Sequence, residues 1–205
     1  MAKINYGRML DEKMAELRKT GEKPSLLLHA CCAPCSSYVL EYLSKYFEID
    51  LFYYNPNTYP QAEYEKRGRE LERLVKLMPF PNHVGLIPTV YDPERFYQAS
   101  LGQESEREGG ARCVSCFRLR LEETAKQAKN LGYDYFATTL TVSPHKNAQL
   151  INQIGLELEK EYGVKYLVSD FKKREGYKRS IELSREYDIY RQEYCGCEYS
   201  LATNI

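Results

Sequence analysis

The chain has no tryptophan and no excess of either charge, its 205 residues carrying 29 Lys and Arg against 29 Asp and Glu. Balanced charge removes any whole-chain electrostatic argument for a nucleic-acid or membrane partner, so such a surface has to be a local patch. No stretch approaches the roughly 18 to 20 uncharged apolar residues of a membrane span, and the opening MAKINYGRMLDEK lacks the apolar centre of a signal peptide. Internal repeats, low-complexity tracts and a dividing linker are also missing. These absences lead to the expectation of a cytoplasmic protein, 1–205 forming a single domain, long enough to bury a core without disulfide staples.

Hydrophobic periodicity divides the chain into alternating strands and helices. A helix is predicted over 6–18, with Leu10, Met14 and Leu17 on one face, stopping before Gly21 and Pro24. The apolar run 25–30 suits a buried parallel strand, and 35–45 a helix with Val39, Leu40 and Leu43 inward. Residues 49–54 read as a strand ending in the turn Asn55-Pro56-Asn57, and 61–77 as an amphipathic helix with Leu71, Leu74 and Leu77 on one face. Beyond them, strands are predicted over 83–87, 135–140 and 165–168, and helices over 93–101, 117–131, 146–162 and 177–187. A charged loop over 105–112 leads into the second cysteine pair. Such alternation predicts an α/β fold, an open and mostly parallel sheet with helices on both faces.

What the chain has in abundance is cysteine. Seven cysteines without an export signal point to metal or redox chemistry rather than a disulfide framework, and an odd number excludes complete pairing. They fall in three clusters: Cys31, Cys32 and Cys35 in HACCAPCSS, Cys113 and Cys116 in CVSC, and Cys195 and Cys197 in YCGCEYS. A Cys-x-x-Cys turn brings two thiolates to one centre, and both zinc and iron–sulfur sites assemble from such pairs. Buried cysteines also serve as small hydrophobes, but packing does not require tight clusters around Gly and Pro. Seven thiols exceed what one zinc or one iron–sulfur site needs, and the surplus implies one cluster with a second metal or a redox pair. The 31–35 turn directly follows a predicted strand, the place where open parallel sheets bind their ligands.

Two further predicted strands end in polar turns, 138–147 and 169–174, expected on the same edge. Ser143 reads as a helix N-cap with Pro144 at the first helical position, leaving backbone N–H groups for an anion beside His145 and Lys146; the plain alternative is an ordinary helix start. Lys172, Lys173, Arg174, Lys178 and Arg179 form the densest basic cluster, either a solvated helix end or a grip on nucleic-acid phosphates. Asp170 is an oxygen ligand among thiolates or a helix N-cap. Tyrosine, 19 residues against seven Phe, gathers near turns at Tyr53, Tyr54, Tyr59, Tyr64, Tyr187, Tyr190, Tyr194 and Tyr199, as core and rim aromatics with some rings available to stack on a base.

Four segments, LLLHACCAPCSS, ARCVSCFRLRL, TLTVSPHKN and SDFKKREGYKRSIELSREYDIYRQEYCGCEYS, together resemble the cobalamin-independent epoxyqueuosine reductase family, from the first strand to the C-terminus. The resemblance implies a nucleotide alpha-hydrolase-like (HUP) α/β fold and the last step of queuosine biosynthesis in tRNA, a two-electron deoxygenation of the epoxide on the modified base. It also implies an iron–sulfur cluster (4Fe–4S) with a nearby second metal ion, taken as iron. Carried onto this chain, it assigns Cys31, Cys32, Cys113, Cys116, Cys195 and Cys197 to metal ligation, with Asp170 as the non-sulfur ligand and the division between the two centres left open. Cys35 is expected to begin the helix and to pack.

The chemistry so implied takes electrons from an external donor and protons from His29, His145 or Asp170, the titratable groups nearest by predicted position. Lys146, Lys172, Lys173, Arg174, Lys178 and Arg179 are the expected phosphate contacts to the tRNA anticodon arm. Two alternatives compete with this reading. An ATP-dependent tRNA-modifying enzyme of the related nucleotide-hydrolase type needs a Gly- and Ser-rich phosphate loop where this chain has CCAPCSS, and an RNA-binding protein with a structural zinc needs fewer thiols.

Overall fold

The computed structural model describes residues 4–202, the side chains of Arg174 and Ala202 excepted. Its strands are β1 (Ser25–His29), β2 (Glu48–Phe52), β3 (Val84–Ile87), β4 (Tyr135–Thr138) and β5 (Lys165–Tyr166). They form one parallel sheet in the order β3-β2-β1-β4-β5. The apolar run of β1 is buried on both faces because strand side chains alternate: Leu26 and Leu28 enter one core and Leu27 the other. A strand covered on both sides is what crossover helices produce.

The helices are α1 (Tyr6–Thr20), α2 (Ala33–Leu43), α3 (Gln61–Leu77), α4 (Pro93–Ser100), α5 (Ala111–Leu131), α6 (Ala148–Tyr162), α7 (Gly176–Glu186) and α8 (Glu198–Ala202). Leu10, Met14 and Leu17 of α1, Val39, Leu40 and Leu43 of α2, Leu71 and Leu74 of α3 and Leu183 of α7 share a core with Leu26 and Leu28. Phe117, Leu121, Ala125 and Ala128 of α5 join Ile151, Ile154 and Leu158 of α6 over the opposite face. The expected open parallel sheet with helices on both faces is thus what the chain adopts. No helix among the described residues is long and apolar enough to cross a membrane.

Several boundaries differ from the sequence expectation, for local reasons. α5 begins at Ala111 rather than at residue 117, because nothing in ARCVSC breaks a helix and Arg112 Nη1 anchors the first turn on the carbonyls of Gln103 (3.0 Å) and Glu104 (2.7 Å). β4 stops at Thr138, whose Oγ1 accepts from the Leu140 N–H (3.2 Å) and opens the 3₁₀ turn Thr139–Val142. Leu77 lies 48% exposed instead of inward, at the last position of α3. α8 was not foreseen.

Ser143 is not the cap of α6. Its Oγ accepts from His145 N (3.3 Å) to close a tight turn, and Asn147 caps the helix by accepting from the N–H groups of Gln149 (3.0 Å) and Leu150 (3.3 Å). Asn147→Ala is therefore expected to cost about 1 kcal/mol, read as a lower urea midpoint at constant slope, with Ser143→Ala costing less.

Candidate metal centre and active-site cavity

Strand order reverses between β1 and β4, and the crevice beyond such a switch point is where this kind of sheet binds ligands. Three turns meet there. After β1 come Cys31 and Cys32, and α2 starts at once with Cys32 at its N-cap and Pro34 in its first turn. After β2, Asn55 donates from Nδ2 to the Ala30 carbonyl (2.8 Å), pinning the cysteine turn. After β4, Thr139 Oγ1 accepts from Cys31 N (3.2 Å) and donates to Cys31 Sγ (3.4 Å).

These constraints bring the sulfurs of Cys31, Cys32 and Cys35 within 4.8 Å of one another, a set able to hold a metal ion. Cys35, expected to begin the helix and pack, joins this set: three residues beyond Cys32 at the start of a helix, it returns to the same face. Hydrogen bonds from Cys32 and from Cys35 hold the Cys31 thiol well below its ordinary pKa, with Lys146 adding to the effect and burial opposing it. The same bond pushes Cys32 up to about 11, and Cys35 is raised well above the usual thiol range. Cys31 is therefore the thiol of the trio that loses its proton most easily, and a metal ion would displace the protons of the other two.

The other four cysteines form a second set. Cys113 and Cys116 lie in the first two turns of α5, again three apart, and line one small cavity together with Cys195 and Cys197. Between the last two, Gly196 has φ 131°, and a Cβ there would lie 3.0 Å from Arg67 Nη1, so only glycine fits the turn. The segment is tied down by Tyr59 N donating to Gly196 O (2.8 Å) and by buried Arg67, which donates to Cys195 O (3.2 Å) while paired with Glu63 (2.8 Å). Gly109 N donates to Cys113 Sγ (3.2 Å). Burial pushes the Cys116 thiol up to about 12, countered in part by Arg120. None of the seven cysteines is in a disulfide.

A larger cavity of about 350 Å³ opens over the three-thiol set and shares Asn57, Glu108, Arg120, His145, Lys146 and Cys195 with the four-thiol one. Arg67, Arg120, Lys146 and Arg191 outnumber Glu108 and Glu193 in its lining, and Tyr177 and Tyr194 supply its rings. Burial opposes charge on Lys146, yet the neighbouring sulfurs of Cys195, Cys31 and Cys35 outweigh it and hold the ammonium above its ordinary pKa.

The other expected residues divide. His145 and Lys146 line both cavities. His29 lines neither: it is fully buried, with Nδ1 2.9 Å from Thr138 Oγ1 and Nε2 3.1 Å from Tyr54 O, a neutral bridge between strands whose pKa burial, and then Arg120, lowers to about 3. The residue expected as a proton donor thus has both ring nitrogens engaged away from the cavities. Asp170 also lies outside both linings. Its buried Oδ1 lacks a hydrogen-bond partner, with Lys172 Nζ 4.0 Å away, and Lys173 Nζ stands 4.0 Å from Oδ2.

Within the basic cluster, Lys172 Nζ donates to Lys146 O (2.6 Å) and Ser143 O (3.4 Å) and so braces the cavity turn. Arg179 is surrounded by Glu41 (2.6 Å), Glu182 (3.3 Å) and Glu186 (3.9 Å). Lys173 and Lys178 face solvent, and the Arg174 side chain lies outside the described residues. Sequence reading passed over Glu108, Gln192, Arg67 and Arg120. The two arginines were detectable, because each interrupts an apolar helix stripe: Arg67 between Tyr64 and Leu71, Arg120 between Phe117 and Leu121.

A family model described as Epoxyqueuosine reductase QueH matches residues 26–203. The chain belongs to the epoxyqueuosine reductase QueH family. Relatives bearing that description include one from Staphylococcus epidermidis, 46% identical over 97% of this chain and 85% of the relative, and one from Streptococcus pyogenes serotype M1, 46% identical over 97% and 78%. A third, from Thermotoga maritima, is 37% identical over 86% of this chain and 90% of its own. Within the epoxyqueuosine reductase QueH family frame, the turn after β1 presents thiols rather than a glycine phosphate loop, so the ATP-dependent alternative is not favoured.

The buried neutral His29 makes stability pH-dependent. Its folded pKa of about 3 lies below the ordinary 6.5, so the unfolded chain takes up a proton first, and stability present above pH 6.5 is lost as pH falls toward 3, by about 1.4 kcal/mol per unit. His29→Gln is expected to flatten that acid limb in urea unfolding; an unaltered slope would show that His29 charges within the fold.

Proposed function

We propose that this chain reduces epoxyqueuosine in tRNA to queuosine, removing the epoxide oxygen in a two-electron step that leaves a carbon–carbon double bond. The observation that carries the reading is one polar cavity at the sheet's switch point flanked by a three-thiol and a four-thiol set, in a family whose members bear that activity in their names. As one α/β unit in the cytoplasm, where its substrate is made, it draws electrons from an external donor.

The donor sets fit iron. Soft thiolates free of disulfides suit iron–sulfur chemistry, and Cys113, Cys116, Cys195 and Cys197 supply the four thiolates of a 4Fe–4S cluster. Cys31, Cys32 and Cys35 would hold a second iron, with fewer protein donors than the four of a structural site. The chemistry these groups would supply when bound is the one-electron transfer that the reduction needs. Glu108, which lines both cavities, stands better placed than Asp170 for an oxygen ligand or an acid.

The chain's own residues do the rest. Two protons complete the conversion of epoxide to alkene and water, and exposed His145 at the cavity is placed to relay them. Tyr177 and Tyr194 stand where a base swung out of the anticodon loop would stack. Lys173 and Lys178 reach solvent for phosphates beyond the cavity, whereas Lys172 and Arg179 serve the fold first.

Protein reconstituted without oxygen is expected to be brown, to contain iron and acid-labile sulfide, and to convert epoxyqueuosine in tRNA. Cys35→Ser should lower iron content as Cys31→Ser does. Zinc alone, with no sulfide and no conversion, would overturn the reading. Lys173→Ala with Lys178→Ala should reduce the slope of log affinity for tRNA against log salt by about one unit per lysine.

A further inference from the structure

Arg120 stands between the two thiol sets, 3% exposed, on the inward face of α5. Nε donates to Cys116 O (3.4 Å) and Nη1 to Asn55 Oδ1 (3.1 Å), while buried Nη2 has no hydrogen-bond partner. No carboxylate pairs with this guanidinium among the described residues, in contrast to Arg67, which has Glu63. A buried cationic donor left unmade is costly, and Arg120 lines both cavities, so the place to satisfy Nη2 is a ligand in the cavity.

Two acceptors in the same lining are also unmade. Asn57 Oδ1 and Gln192 Oε1 are buried without hydrogen-bond partners, and Gln192 commits its Nε2 to Cys32 Sγ (3.0 Å), which leaves the carbonyl oxygen for something else. One cationic donor and two neutral acceptors complement a ligand that develops negative charge on one oxygen and carries O–H or N–H groups elsewhere.

We propose that Arg120 is a catalytic residue, donating from Nη2 to the substrate's epoxide oxygen and stabilising the negative charge that builds there as the C–O bond breaks, with Asn57 and Gln192 accepting from the substrate's O–H or N–H groups. This rests on the epoxide-reduction reading above. The balance is that of the overall reaction: both C–O bonds break, a C=C bond forms, two electrons come from the external donor and two protons from water or His145, and the oxygen leaves as water. Arg120 contributes a hydrogen bond and keeps its own proton, as a guanidinium does at any working pH. Donors fixed in advance around a developing oxyanion are among the larger contributions to catalysis.

The test uses reconstituted holoenzyme with epoxyqueuosine-containing tRNA. Arg120→Ala is expected to lose about 10² to 10³ in kcat, with KM for tRNA and the iron and sulfide content close to wild type, and added guanidinium should restore part of the rate. Arg120→Lys keeps the charge but shortens the reach, and should fall between the two. A variant with wild-type kcat would overturn the inference. So would iron loss in step with kcat in both variants, because Arg120 would then only balance thiolate charge, and so would a failure of guanidinium to restore any rate in metal-replete Arg120→Ala. If wild-type protein does not convert the substrate, it is the epoxide-reduction reading that fails.

Discussion

The guanidinium of Arg120 is buried beside Cys116, Cys195, Cys31 and Cys113 with no carboxylate among the described residues to pair it, and the charge state of the surrounding site follows from that placement. An isolated buried cation costs several kcal/mol, so the folded site favours anions around it, and thiolates are the anions on hand. Burial works the other way, raising Cys116 and Cys113 above the ordinary thiol range. Neither tendency is satisfied while protons stay on the sulfurs. A metal satisfies both at once, since it replaces the protons and leaves the sulfurs anionic toward Arg120. Arg67 is the instructive contrast. Glu63 already neutralises it, so its remaining donors serve position alone, holding the Cys195 carbonyl and with it the C-terminal cysteines.

The sheet explains why three distant segments can meet at such a charge. Parallel strands send all their exits to one edge, and the reversal between β1 and β4 leaves a gap there. The turn after β2 works as the hub of that gap. Asn55 links the β1 exit to Arg120, Asn57 lines both cavities, and Tyr59 N takes the carbonyl of Gly196.

What could be read from the sequence follows from how local each determinant is. Strands and helices showed through periodicity, because buried positions on one element repeat by local geometry. The three cysteine clusters were visible for the same reason. Their grouping into three plus four was not, since it depends on which turns converge, and the meeting of Cys35 with Cys31 and Cys32 arises from its helical spacing relative to Cys32. Proximity along the chain does not place His29 and Asp170 in the cavity lining: the strand pleat turns the His29 ring into the interior, and Asp170 stands beside Lys172 and Lys173. Arg120 and Arg67 would have emerged from asking why a charged residue occupies an apolar stripe.

The two thiol sets sit in unlike surroundings, and on the proposed function the difference bears on how electrons and substrate are kept apart. Phe96 shares a packed cluster with Cys116 and Cys197, flanked by Tyr97 and Tyr199, and the Arg112 guanidinium lies 4.3 Å over the Tyr199 ring. That shell is largely aromatic, and in such surroundings adding an electron is opposed unless N–H groups or a cation answer the charge. Gly109 N at Cys113 and Arg120 are the groups that answer it. The three-thiol set faces the wide polar cavity instead, with Gln192, Lys146 and His145 beside it. Arg120 belongs to both linings. On the proposed function, one side chain therefore stands against the electron-holding sulfurs on one side and the substrate's oxygen on the other, and charge moving from the first to the second stays beside the same cation throughout.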